Sequence, residues 1–411
     1  MRILIVGGGG REHALCQALG AHELHAAPGN PGIARVARCH PVEVDDLDGQ
    51  LALARSLASE LVVVGPELPL VLGLADRLRA AGFAVFGPSA AAARVEGSKA
   101  HAKELMEAAG IPTAAYRACG SLADAIAAID ELGGACVIKA DGLAAGKGVA
   151  VCASREAAVA ASEACFAGAF GAAGASVVVE ELMTGPEVSL LALCADGRAY
   201  PLAPAQDFKR VGDGDAGPNT GGMGAYSPLP ALTDADVSEL VRTVHEPLLA
   251  ELERRGTPFQ GCLYAGLMLT PGGVRVIEYN VRFGDPETQV LMARVDGDLA
   301  LALLAPQPVR MRDCAAITVV LAAPGYPQAT RPGQPITGIE LAEAVEGVSV
   351  QHAGTAITGG RLVVAGGRVL SVTARGASLA EARERAYRAV NLIEFDGKHA
   401  RTDIALEAAR V

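Results

Sequence analysis

VIKADGLAAGKGVAV, Val137 to Val151, sets a glycine-rich turn between two runs of strand formers, with one lysine before the turn and one inside it. A phosphate-binding P-loop needs glycine, four spacers, Gly-Lys, then Ser or Thr leading into a helix. Here three residues separate Gly142 from Gly146, Lys147 is followed by Gly148, and Val149 to Val151 resume a strand. The stretch is not a P-loop. It is either an ordinary glycine-rich hairpin or a hairpin whose tip folds over a polyphosphate and offers backbone N–H groups, with a cation close by. In the second case Lys139, on the strand, is a fixed charge, whereas Lys147 sits at a loop tip where solvent screens it.

Upstream, RILIV, LHAA, LVVVG and FAVFG alternate with helical segments through residue 97, a βαβ pattern that predicts a parallel sheet covered on both faces. The first strand runs into GGGGREHAL. No third glycine completes a dinucleotide fingerprint, since Glu12 and His13 stand where it is required, and the second strand ends in AAPGN with no acid for a ribose 2′-hydroxyl. A glycine turn at a helix N-terminus still suits an anion, so a phosphorylated small substrate is expected there. Residues 98–306 mix strands and helices as an α+β domain, and 307–411 follow a Pro-bearing connector as a third domain. Between Ala203 and Pro230 no periodicity is visible. Its varied polar groups, Asp207 and Asn219 among them, point to a binding loop. In the last domain one amphipathic helix is expected, with Leu379, Ala386, Val390 and Ile393 inside and Glu381 and Arg385 paired outside.

The chain has 411 residues, 51% hydrophobic content, net charge −11, 4% aromatics and no Trp. It has neither the basic face nor the stacking platforms that nucleic acid requires. Nine scattered cysteines, never in Cys-x-x-Cys spacing, read as small buried hydrophobes in a reducing cytoplasm. The N-terminal apolar run, Ile3 to Val6, is too short for a signal peptide, and no stretch approaches a membrane span.

The sharpest chemical pattern is RVIEYNVRFGDPETQ, Arg275 to Gln289. Strand alternation puts Glu278 and Asn280 on one face, a hard-oxygen pair suited to Mg²⁺ already carried by nucleotide phosphates. Arg282 follows on that side, able to stabilise a transferring phosphoryl group. The plainer alternative is a solvated strand face with a Glu278–Arg282 ion pair. Asp285 and Glu287 add carboxylates nearby, so neutralising Glu278 is expected to relieve like-charge repulsion.

Together GREHAL (10–15), VGPE (64–67), EGSK (96–99), IKADGLAAGKGV (138–149), KRVGD and GPNTGGMGAYSP (209–228), LYAGLM (263–268), E-x-N-x-RFGDPETQ (278–289) and HAGT (352–355) resemble the phosphoribosylamine–glycine ligase (glycinamide ribonucleotide synthetase) family of the ATP-grasp superfamily. The resemblance implies an N-terminal βαβ (pre-ATP-grasp) domain over 1–97, an ATP-grasp domain over 98–306 with a mobile lid at about 112–183, and a small C-terminal α+β domain. It implies ATP and Mg²⁺ or Mn²⁺ as cofactors and glycine and 5-phosphoribosylamine as substrates; the composition already argues against nucleic acid or membrane as partner and for the cytoplasm, and of the oligomeric states left open a monomer is favoured. Lys99 and Lys139 become the phosphate lysines, and Gly142, Gly146, Lys147 and Gly148 the lid. Glu180, Glu181 and Leu182 become the adenine hinge, and Glu187 the ribose acid. Gly10, Arg11 and Glu12 fall to the ribose phosphate, Asp207, Asn219 and Asp285 to glycine or the amine, Glu278 and Asn280 to metal, and Arg282 with Asp285 to catalysis. Another ATP-grasp carboxylate–amine ligase and a nucleotide-binding regulator without turnover are the alternatives. Phe208, His101 and Pro324 depart from the family pattern, and the apolar Leu267 and Met268 stand where many superfamily members place a second metal-binding acid.

Overall fold

Buried runs of β-branched residues build the first sheet. Ile3 to Val6 and Leu61 to Val64 are at most 3% exposed, as strands covered on both faces must be. The structure, a computed structural model, describes residues 1–144 and 148–410. Arg2–Gly7 lies between Glu23–Pro28 and Leu61–Val64, with Arg38–Cys39 and Val85–Phe86 outermost and every pairing parallel. The strand order reverses beside Arg2–Gly7, where open α/β sheets place ligands. Its C-terminal end turns through Gly7 to Gly9 into the helix Gly10–Ala18. Gly8 must be glycine, because a Cβ there would stand 2.5 Å from the Gly29 carbonyl oxygen.

Two antiparallel sheets of four strands form the middle of the molecule. One runs in the order Tyr116–Cys119, Val177–Glu181, Cys136–Ala140 and Val149–Cys152, with its own small core packed under the helices Leu122–Glu131 and Arg155–Ala164. The other runs Arg198–Pro201, Glu187–Ala195, Gly261–Thr270 and Gly273–Asn280. The last sheet takes Ala315–Ala322, Arg368–Gly376 and Val348–His352 from the C-terminal region but Gln206–Asp207 and Gly224–Ser227 from the middle one. The segment expected as a loop is therefore largely short strands, including a ribbon of Arg210–Gly212 against Ala216–Asn219. Strands of two to four residues interrupted by glycine show no period.

The amphipathic helix spans Leu379–Val390, with Leu379, Ala386 and Val390 buried and Glu381 2.8 Å from Arg385. Ile393 is buried too, but beyond the helix, which ends at the Asn391 cap. All nine cysteines are free, and seven are buried. Among the described residues, no helix is long and apolar enough to cross a membrane.

Of the four histidines buried in this interior, His13, His245 and His352 are each at most 3% exposed. Burial holds His13 down to about 3, with His352 and Arg35 adding to it; burial holds His245 and His352 down to about 4. Such groups stabilise the fold above their unfolded value near 6.5 and lose that contribution as pH falls toward the folded values. Burial pushes the carboxyls of Glu96 and Asp207 up, which offsets part of the slope. Between pH 6.5 and 5, unfolding should therefore take up about one to two protons net, or about 1.4 to 2.7 kcal/mol per pH unit. Urea midpoints at pH 7, 6 and 5 measure this. A flat profile would mean the histidines find water.

Candidate active site

A cleft of about 340 Å³ opens where the three regions meet. The chain carries −11 overall, yet the cleft is lined by seven basic and seven acidic side chains, so a polyphosphate meets no net negative wall there.

The Cys136–Ala140 strand supplies Lys139, which is 3% exposed. Its Nζ lies 2.9 Å from Glu180 Oε2 and donates to the Ile277 carbonyl at 3.0 Å. Lys103, four residues and about one helical turn after Lys99, reaches the same Glu180 oxygen at 3.3 Å and donates to Thr113 Oγ1 at 2.7 Å. Burial lowers Lys103 to about 8 against the pull of Glu180. The Glu180 carboxylate is turned onto these two lysines, which leaves only its backbone for the adenine contact expected of it; its Oε1 is buried and has no partner among the described residues. Glu181 turns the other way, onto Arg275 at 3.0 Å. Lys99 donates to the Gly142 carbonyl at 2.8 Å, at the base of the glycine turn. Gly146 and Lys147 lie outside the described residues.

On the opposite wall the Gly273–Asn280 strand presents Glu278 and Asn280 together, Glu278 across from Gly266 and Asn280 across from Tyr264. A bulge skips Ile277 but falls before the pair, so the two-residue spacing still puts both on the cleft side. Burial would raise Glu278, but Lys139, Lys209, Lys99 and Arg282 outweigh it and hold the carboxylate below its usual range. The Glu278–Arg282 ion pair, the plainer alternative read from the sequence, is absent among the described contacts. Arg282 instead lies 2.9 Å from Glu96 and 3.4 Å from Glu67, and only loosely meets Asn280 Oδ1 at 3.4 Å. Asp207 and Glu187 share Lys209 at 2.8 and 2.6 Å, so the expected ribose acid is paired to a cation.

The glycine turn faces this cleft through Arg11, whose Nη1 donates to the Phe283 carbonyl at 3.1 Å. Glu12 faces inward: Oε2 accepts from the Gly9 amide at 2.7 Å and Oε1 from Arg11 Nε at 2.5 Å. It closes a capping arrangement that shapes the turn, and it is not part of the cleft lining. Gly10 backs onto Gln289, leaving no room for a side chain. Asn219 ends the ribbon strand Ala216–Asn219 and, with Leu182, lies outside the cleft lining. Glu67, Glu96, Lys103, Lys209 and Arg368 were missed as site residues. The spacing of Lys103 from Lys99, and of Lys209 from Asp207, could have shown two of them.

Two antiparallel sheets gripping a lysine-lined cleft, beside a parallel-sheet domain, define an ATP-grasp enzyme. Residues 1–96 match the phosphoribosylglycinamide synthetase N domain, 97–288 its ATP-grasp (A) domain and 316–407 its C domain. A phosphoribosylamine–glycine ligase of Streptomyces coelicolor is 54% identical, with both chains covered in full. A crystal structure of phosphoribosylamine–glycine ligase from Thermotoga maritima superposes with a TM-score of 0.87 at 36% identity, covering 98% of this chain and 100% of that one. Biotin carboxylase from Campylobacter jejuni shares the fold at a TM-score of 0.73 and 13% identity, with 100% of this chain and 95% of that one covered. The chain belongs to the phosphoribosylglycinamide synthetase family.

Proposed function

We propose that this protein joins glycine to 5-phosphoribosylamine at the expense of ATP. The γ-phosphoryl group passes to the glycine carboxylate, giving glycyl phosphate and ADP. The amine then attacks the acyl carbon, phosphate departs, the nitrogen loses a proton, and glycinamide ribonucleotide results. The observation that carries this reading is the facing of Lys99 and Lys139 against Glu278 and Asn280 across one cleft, in a chain whose full-length relatives bear that ligase's name.

No protein nucleophile is needed. Lys99 and Lys139 hold phosphate oxygens, Arg11 and the glycine turn take the ribose phosphate, and Asp207 and Asp285 orient glycine or the amine. The closing hairpin keeps water from the acyl phosphate. Among the described residues, no group of three or more His, Cys, Asp or Glu could hold a metal alone. Glu278 and Asn280 offer two hard oxygens and the surrounding cations favour phosphate, which fits Mg²⁺ or Mn²⁺ held partly by ATP. When bound, that cation would neutralise charge on the transferring phosphoryl group. All nine cysteines are free, which suits a reducing cytoplasm, and we favour a monomer.

Sustained ADP release should require ATP, glycine and phosphoribosylamine together. Omitting each in turn, with coupled detection of ADP, is the test. Rapid ATP consumption without glycine would remove the reading; turnover with another carboxylate in glycine's place would favour a different ATP-grasp ligase.

A further inference from the structure

The C-terminal region reaches into the cleft with one side chain. Arg368 opens the strand Arg368–Gly376, and its guanidinium crosses to the middle of the molecule. Nη1 donates to the backbone carbonyls of Asp285, at 2.6 Å, and of Gly221, while Nη2 lies 2.9 Å from Asp285 Oδ2. The other carboxylate oxygen of Asp285 accepts from Gln289 Nε2 at 2.8 Å. Gln289 is 1% exposed and sits on the helix Glu287–Arg294, so it cannot swing away. Both oxygens of Asp285 are thus held, from two directions. The carboxylate faces the glycine turn of the first domain, with Oδ2 3.8 Å from where a Cβ on Gly9 would stand.

We propose that Arg368 is a positioning residue that fixes the Asp285 carboxylate and the Gly221 carbonyl in one arrangement across the three domains, making the C-terminal domain part of the active site. The proposal rests on the ligase reading in assigning Asp285 to the reacting end. Charge-assisted bonds to a carboxylate are short and directional, and the rigid guanidinium fork holds the two carbonyls through one nitrogen and the carboxylate through the other, whereas an ammonium is a single flexible point donor. A carboxylate held at both oxygens receives an incoming amine without a search through rotamers, and a misplacement of about 1 Å at such a centre costs about 10²-fold. Gly221 lies in the GPNTGG segment, so the same guanidinium ties that segment to Asp285.

The test is a double-mutant cycle of Arg368→Met and Asp285→Asn in the full chain. Arg368→Met should lower kcat/KM for the amine by about 10²-fold and leave KM for ATP within about twofold. The loss in the double variant should fall well short of the product of the two single losses, because Arg368 acts chiefly through Asp285. Arg368→Lys should recover part of the loss and carries the cycle if the methionine variant does not fold. Additive losses, or a KM for ATP that rises in step, would overturn the proposal. If the wild-type protein does not turn over glycine and phosphoribosylamine, the ligase reading fails on its own. The tether is then judged by trypsin cleavage after Arg210, at the start of the ribbon that leads to Gly221: faster cleavage in Arg368→Met at an unchanged melting temperature supports it, and unchanged cleavage overturns it.

Discussion

Arg282→Met should destabilise the protein by about 3–5 kcal/mol at neutral pH, the cost of stripping one partner from a buried ion pair. The guanidinium stands 2.9 Å from Glu96 and 3.4 Å from Glu67. Without it, among the described residues Glu96 keeps only the Val281 N–H, at 2.7 Å. Burial already pushes Glu96 up, with Arg282 the chief opposing pull. Removing that pull raises it further, so the variant gains from protonating Glu96. A carboxyl with a raised folded pKa stabilises the fold at low pH and loses that contribution as pH rises. The gap between variant and wild type should therefore be widest above pH 7 and narrow toward pH 5. Urea unfolding of both at the two pH values measures it. Equal stability at pH 7.5 would mean that Arg282 serves only the phosphoryl group, as its position in the sequence first suggests.

The ion pairs of Arg282 lie beyond what local sequence rules show. The parallel sheet was legible because Ile3 to Val6 and Leu61 to Val64 are continuous apolar runs, which only a doubly covered strand needs. Glu278 and Asn280 were legible because the pleat has period two and the bulge at Ile277 precedes them. Both are local rules. The partners of Arg282 are not local: Glu96 is 186 residues away and meets it only because the helix Ala90–Gly97 packs against the strand Gly273–Asn280. Arg368 reaches Asp285 across 83 residues in the same way. The direction of the Glu180 side chain is likewise set by Lys103 and Lys139 on other elements. Nor could spacing show that Gln206–Asp207 and Gly224–Ser227 join the C-terminal sheet, since an edge pairing follows from which surfaces are left open once the cores have formed.

Glu278→Gln tests the metal pair most directly, and the structure changes part of what it should do. The substitution keeps shape and length but removes a full charge. A divalent cation would then be held mainly by ATP, so the Mg²⁺ concentration for half-maximal activity should rise and turnover should fall by 10²-fold or more, on the order of 3 kcal/mol of lost electrostatic stabilisation. From the sequence, neutralising one acid beside Asp285 and Glu287 would relieve repulsion and leave the apo fold unharmed or firmer. The structure reverses that sign. The Glu278 carboxylate faces Lys139, Lys209, Lys99 and Arg282, which hold it below its usual range against burial. A carboxyl with a depressed folded pKa stabilises the protein above its unfolded value, so the glutamine variant loses that stabilisation at neutral pH and leaves the lysines less balanced. The apo protein should melt lower than wild type, and ATP or another polyphosphate should restore more stability to the variant than to wild type, because an anion replaces the missing charge. Melting curves with and without nucleotide, beside Mg²⁺ titrations of activity, separate the effects. A lower melting temperature with an unchanged Mg²⁺ requirement would assign Glu278 to charge balance alone and remove it from the metal site.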